Sequence, residues 1–292
     1  MSDASQIAAA PNLPRMDRTQ VTVWAMALLP IAVLSVFYFY PLIRVLLISV
    51  TEPTPGFGNY IDIFTSSPVR KVLSTTLWIC VVSSSISLML GYLLAYAIVH
   101  ATGRWQSWML LAVLLSFWVS ILIRAFAWIA LLQTRGMVNE TLQAIGLIDD
   151  PIRFIRNPFG VILGMVHYMI PYAVLPLMAN MRTIDTRYVP AARGLGASPF
   201  GAFWRVFLPL SLPGLISAGI LVFIFSIGFY ITPALLGGGR TTMVAEYIAL
   251  QVNETLAWGQ GTALASSMLF VVFTLLIVLG RIVKFRNMFG AA

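Results

Sequence analysis

Six stretches of the chain are apolar almost without interruption, near residues 22–48, 72–99, 108–132, 159–181, 210–236 and 262–281. Crossing a hydrocarbon core of about 30 Å takes roughly 20 apolar residues in a helix, and each run is long enough. Lipid offers the backbone no hydrogen-bond partners, so each run must bond internally. A membrane-spanning barrel would show alternating segments of about ten residues, and these runs do not alternate. The pattern predicts an all-α polytopic membrane protein with about six transmembrane helices. Between the fourth and fifth runs lies a polar interruption at 182–209.

Composition agrees, because 59% hydrophobic and 10% charged residues among 292 cannot be folded around one aqueous surface. Lys and Arg accumulate in cytoplasmic loops. With the N-terminus inside, the inner side carries ten basic and three acidic residues, net +7, and the outer side six basic and seven acidic, net −1. An even number of spans then places both termini in the cytoplasm. The total of +8 follows from topology, so the expected surroundings are a lipid bilayer and not nucleic acid. The first run exceeds a signal h-region and no small-residue cleavage site follows it. It is therefore expected to remain as the first transmembrane helix, 21–50. Residues 1–20, with few apolar side chains and two prolines, read as a disordered cytoplasmic leader, and 282–292 as a cytoplasmic tail.

Candidate chemistry is sparse. Cys80 is the single cysteine, which excludes a disulfide framework or thiolate cluster. His100 and His167 stand alone. No metal, nucleophile or GxxxxGK[ST] motif is visible, so neither enzyme activity nor a cofactor is expected of this chain.

The polar interruption is more ordered than a connector needs to be. Ser198 and Pro199 form a helix opening, a hydroxyl to cap free N–H groups and a proline suited to the first turn. Phe200, Phe203, Trp204 and Phe207 follow at i, i+3, i+4 and i+7, predicting one packed stripe with Gly201, Ala202 and Arg205 elsewhere on the surface. Upstream, Tyr188 to Leu195 forms another helical turn or two. Gly196 ends it, supplying a backbone conformation other residues avoid. A helix, a hinge and a helix are expected at the cytoplasmic surface.

The spacing Ala191-Ala192, three residues, Gly196, nine residues, Val206-x-Leu208-Pro209 resembles the signature loop of binding-protein-dependent ABC importer permeases of the type I fold. Trp118-x5-Arg124-x2-Ala127-Trp128, Arg135-Gly136 with Asn139, Leu195-Gly196-Ala197-Ser198 and Ile231-Thr232-Pro233-Ala234-Leu235-Leu236-Gly237-Gly238 resemble the PotB-like subunit of the spermidine/putrescine branch. The resemblance implies a core over 70–281, five helices with a coupling loop at 182–209, in the bacterial inner membrane. It implies four partners: an ABC ATPase dimer, a second homologous permease in a heterodimer, an extracytoplasmic solute-binding protein and the bilayer. Arg187, Pro190, Ala191, Ala192, Arg193, Gly196, Ala197, Ser198, Phe200, Leu208 and Pro209 are the expected ATPase-coupling residues. ATP bound by the partner would drive alternating access, since it distinguishes the two states. The likeness departs at Pro190, where the family's loop has Glu. Lacking that carboxylate, the loop is expected to keep its shape and to dock electrostatically through Arg187 and Arg193.

Trp118, Arg124, Trp128, Tyr230, Glu246 and Glu254 are candidates for the solute path. An ionisable group in a span is costly and faces a cavity, an interface or the bundle interior. Arg124 either snorkels or pairs structurally or lines the path. Trp118 and Trp128 suit an interfacial anchor or an ammonium-attracting aromatic face. Gly237-Gly238-Gly239 permits sharp re-entry, followed by a short gating helix. In a continuous helix Glu246 and Glu254 would lie about 80° apart, as solvated acids or as attractants for a cation. Arg44 reads as a snorkelling end residue. A polyamine or related small cation is the expected solute. Another small solute, such as an oxyanion, iron or an amino-acid derivative, remains open because fold does not choose it. An ion-coupled secondary transporter would show more ionisable groups at depth, and a channel a ring-forming filter.

Overall fold

The computed structural model describes residues 18–289. Most of the expected leader and the end of the expected tail therefore lie outside the described residues. Helix α1 spans Arg18–Thr51. Residues up to Leu47 form one body and those from Ile48 another. The second body contains α2 (Gly58–Thr65), α3 (Ser67–His100), α4 (Arg104–Trp118), α5 (Ile121–Leu132), α6 (Met137–Ala144), α7 (Pro158–Met181), α8 (Tyr188–Gly194), α9 (Pro199–Ala202), α10 (Leu208–Ile227), α11 (Val244–Asn253) and α12 (Trp258–Phe289). No strand occurs among the described residues, and six helical segments are long and apolar enough to cross a membrane.

The core is built where α3, α7 and α10 pack together. Their contact faces carry small residues, as expected where lipid supplies no hydrophobic drive and close backbone approach must provide the packing. Ala95, Ala173 and Ala218 are fully buried, and a Cβ added to Gly91 would lie 2.6 Å from that of Ala173. Ile79, Met165, Met169, Leu177 and Val222 fill the space between. Polar links are few: Ser84 donates to Ser226 at 3.4 Å, and the hydroxyls of Tyr92 and Ser211 lie 2.8 Å apart.

Two runs expected as single helices are broken. The third, 108–132, is interrupted at Val119–Ser120 between α4 and α5. The fifth, 210–236, stops at Ile227, passes through non-helical Gly228–Tyr230 and resumes in one wide turn at Pro233–Gly237. Proline explains the second break. Pro233 donates no N–H and its ring clashes with the carbonyl four residues back, at Phe229, so a helix cannot run through both. At its other end the fifth run starts earlier than its hydropathy suggests: α9, a wide turn at Phe203–Phe207 and α10 form one helical segment, Pro199–Ile227.

Candidate functional site

The inner loop leaves α7 at Met181 and turns at once into α8. Pro190 is the third residue of α8, where a missing N–H removes no intrahelical bond. Gly196 has φ +92°, and nothing lies within 4 Å of where its Cβ would be. Backbone conformation and not crowding therefore selects glycine there. Ser198 caps the next helix by accepting from the Gly201 N–H at 3.1 Å, with Pro199 opening it. The expected hinge and helix opening are both present.

The expected stripe is not. The wide turn at Phe203–Phe207 adds a residue to the repeat, and the four aromatics, though linked by a Phe203–Trp204 contact at 5.8 Å, divide into an inner and an outer set. Phe203 and Phe207 stack at 6.0 Å and pack against Tyr96, with Tyr92 and His100 of the same α3 face beside them. Phe200 and Trp204 pair at 5.8 Å on the outside, Phe200 at 73% exposure. Ala202, expected on the surface, is fully buried. Tyr92, Tyr96 and His100, spaced four apart on α3, anchor the loop, a role their helical spacing permitted but their loop partners did not announce. Leu195 is 91% exposed and Tyr188 is exposed as well. Four large apolar side chains, Tyr188, Leu195, Phe200 and Trp204, are thus exposed on this loop, on both sides of Gly196 in sequence. Ala191, Arg193, Ser198 and Pro209 are also exposed, while Ala192, Ala197 and Leu208 are half-buried.

The charge on this loop is less available than expected. Arg187 forms an ion pair with Asp185 at 2.9 Å and donates its backbone N–H to the same carboxylate, also at 2.9 Å. The Arg187 side chain, then its backbone N–H, hold the Asp185 carboxyl below its ordinary range. Of the two arginines expected to dock electrostatically, Arg193 is the one outside this pair.

Farther along the chain, Arg124 corrects the snorkelling and ion-pair expectation. It is only 6% exposed, and its guanidinium donates to the carbonyls of Ser116 and, at 3.2 Å, Val119. These are orphan acceptors created by the break after α4, and a cation at a helix C-terminus is favoured by the helix dipole. Its Cζ lies 5.1 Å from the centre of the Tyr168 ring. Arg124 and Trp118 help line a cavity of about 250 Å³ with Phe117, Tyr168 and Tyr172. The Tyr172 ring meets Phe117 at 4.9 Å and Tyr168 at 5.4 Å. Trp118 itself points outward at 88% exposure. Trp128, one turn below Arg124, donates its indole N–H to His167 Nδ1 at 3.1 Å. Sequence patterns missed Tyr168 and Tyr172; their spacing of four on an apolar helix gave no sign beyond packing.

The other path candidates do not join this cavity. Tyr230 sits in the break after α10, about half exposed. The pair of acids is not on one continuous helix, because α11 ends at Asn253 and Glu254 caps it, exposed. Glu246 is not solvated. It is 6% exposed with Oε2 lacking a hydrogen-bond partner, and burial pushes its carboxyl up against the smaller opposing effect of the Met243 backbone.

On the outer side, at the other end of the 24-residue α7 from the loop, a cavity of about 900 Å³ is lined by Arg135, Arg153, Arg156 and Arg240. Four of the six outer basic residues converge there, and none of the seven outer acids lines it. The net outer charge of −1 conceals this segregation.

Residues 77–286 match the family described as binding-protein-dependent transport system inner membrane component. The spermidine/putrescine transport system permease protein PotB of Haemophilus influenzae is 30% identical over 230 residues, covering 78% of this chain and 80% of that protein. A solved bacterial ABC transporter that imports the acidic polysaccharide alginate has a chain with TM-score 0.74 and 19% identity, covering 91% of this chain and 96% of that one. The alginate transporter in complex with a periplasmic protein bound to alginate pentasaccharide gives 0.73 at 18%, covering 90% and 93%. These structural likenesses concern the fold. The chain is a multi-pass inner membrane permease and belongs to the family of inner membrane components of binding-protein-dependent transport systems.

Proposed function

We propose that this permease couples solute passage to a separate ATPase through the 182–209 loop, with Gly196 as the hinge and Tyr188, Leu195, Phe200 and Trp204 as the docking surface. The observation that carries the reading is the exposure of those four apolar side chains on a cytoplasmic loop. A partner that buries such anchors gains far more from them than from rim charges. Loss of the family's carboxylate at Pro190 fits a docking surface whose affinity is apolar. Ala191, Ala192, Ala197, Leu208 and Pro209 hold its shape.

The solute follows the named relatives: a polyamine, delivered by a solute-binding protein to a path formed with a second, paralogous permease. The Phe117, Tyr168 and Tyr172 rings offer faces of the kind that attract ammonium groups by about 0.5–2 kcal/mol each. Arg124 in the same cavity favours a second reading, an anionic solute in the same type of importer.

The test is ATP hydrolysis by the permease purified in nanodiscs with its retained subunits, with and without binding protein carrying spermidine or putrescine. Stimulation by loaded binding protein, and loss of the ATPase from the complex in Leu195→Asp, are the expected results. Absence of any associated ATPase overturns the coupling reading; stimulation that ignores polyamines moves the solute to the second reading.

A further inference from the structure

The geometry points to the four-arginine outer cavity as the docking site for carboxylates on the solute-binding protein, an inference that rests on the importer reading above. Arg135, Arg153, Arg156 and Arg240 come from three separate segments spread over more than a hundred residues of chain, yet line one space. The ion pair found among the described residues is Asp185–Arg187 on the opposite side, so none of the four is neutralised by a neighbouring carboxylate within 4 Å.

The backbone beneath them is braced. Buried Asn139 donates to the carbonyls of Gln133 at 3.2 Å and Ile152 at 2.9 Å and accepts from the Ile152 N–H at 2.9 Å, tying together the segments that carry Arg135 and Arg153. Asn157 donates to the Arg153 carbonyl at 2.6 Å and caps α7 by accepting from the Gly160 N–H. Arg156 has φ +60°, donates its N–H to the Leu236 carbonyl at 2.7 Å and lies against Gly238, where an added Cβ would come within 2.6 Å of its side chain. A non-glycine residue in that region costs about 1–3 kcal/mol and persists where its surroundings impose it. Unpaired like charges held on a fixed frame are arranged for a partner.

The partner's chemistry follows from charge, size and side. Arginine presents a planar fork suited to carboxylates. All four residues are exposed and the cavity is open at about 900 Å³. An isolated small anion gains little from solvated charges, whereas several carboxylates on one rigid surface engage several arginines together and are steered by their summed field. A polycationic solute is repelled by this wall, so the cavity does not hold the proposed polyamine. The cavity faces the side from which a binding protein would deliver, and a permease of this fold has been crystallised with a periplasmic protein.

The experiment measures association of the loaded binding protein of the same transport system with the nanodisc complex at about 0.05 and 0.5 M salt, where screening lengths fall from above 10 Å to below it. The wild-type association rate is expected to fall at least tenfold with salt. R135Q/R153Q/R240Q at low salt is expected to resemble wild type at high salt, while R135K/R153K/R240K keeps most of the rate. An unchanged rate in the Gln variant overturns the proposal. Should that variant fail to assemble, salt-independent association of the wild type overturns it. Citrate or inorganic phosphate binding that the Gln variant loses, with binding-protein association intact, assigns the cavity to a free anion and also overturns it. A wild-type complex that recruits no binding protein sinks the importer reading itself, a distinct result.

Discussion

The inner loop and the outer cavity sit at opposite ends of α7, and they differ in whether large apolar side chains accompany their arginines. The loop presents four large exposed apolar side chains, with Arg187 paired to Asp185 and Arg182, Arg193 and Arg205 exposed among them. The cavity presents four unpaired arginines on a braced frame. Each surface suits a different kind of partner. Buried apolar anchors give persistent attachment with slow release, which fits a subunit that stays bound. Exposed charges give fast, salt-sensitive capture, which fits a partner that arrives and leaves.

Substitution of Gly196 should disable the apolar end most completely. With open space around it and φ +92°, Gly196→Ala and Gly196→Val should fail together, since strain and not size is limiting. A penalty of about 1–3 kcal/mol corresponds to a loss of binding-protein-stimulated ATP hydrolysis of about five- to 150-fold. Gly196→Asn, which tolerates positive φ better, should retain more. A graded loss by side-chain volume would show that crowding governs the hinge.

A smaller effect belongs to the outer side. Glu246 is buried with its carboxyl pushed up by burial. Ionisation then opposes folding: no penalty exists below the unfolded value, and it grows as pH rises from there to the folded value. Glu246→Gln should therefore raise the thermal midpoint at pH 7, and the gain should vanish as pH falls below about 4.3. Thermal scans at both pH values check this; an equal shift at both would mean the gain is packing.

Smallest of all is the loop's ion pair. Asp185 is held low by Arg187, so its contribution is present above the unfolded value of about 3.9 and is lost as pH falls through the folded one. Because the pair is solvated, Arg187→Gln should leave ATPase copurification within a factor of about five. A larger loss would return charge to the docking surface.

Much of the architecture was legible because hydropathy reports length and lipid enforces helix. The six runs, Gly196 and the Ser198-Pro199 opening could all be read directly. The breaks could not, since Ser120 and Gly228 hardly lower the hydropathy of their runs and hydropathy does not see backbone bonds. Arg124, four residues past Ser120, was the available signal for the first break: a guanidinium needs acceptors, and a broken helix supplies them. Pro233 signalled the second. The Phe200–Phe207 stripe failed because a single wide turn alters the repeat on which periodicity depends. The arginine cavity was invisible because Arg135 and Arg240 lie far apart in sequence, and net charge sums what folding separates.

The break after α10 also sets the reach of mechanical leverage. Pro199–Ile227 is one helical segment of 29 residues, about 44 Å at 1.5 Å per residue, so under the proposed coupling a displacement of the loop would be carried across the membrane by a single element. The segment ends at Gly228, and just beyond it the Phe229 ring meets Tyr168 at 5.0 Å. Under the proposed coupling, that contact is where motion of the loop would reach the wall of the Arg124 cavity.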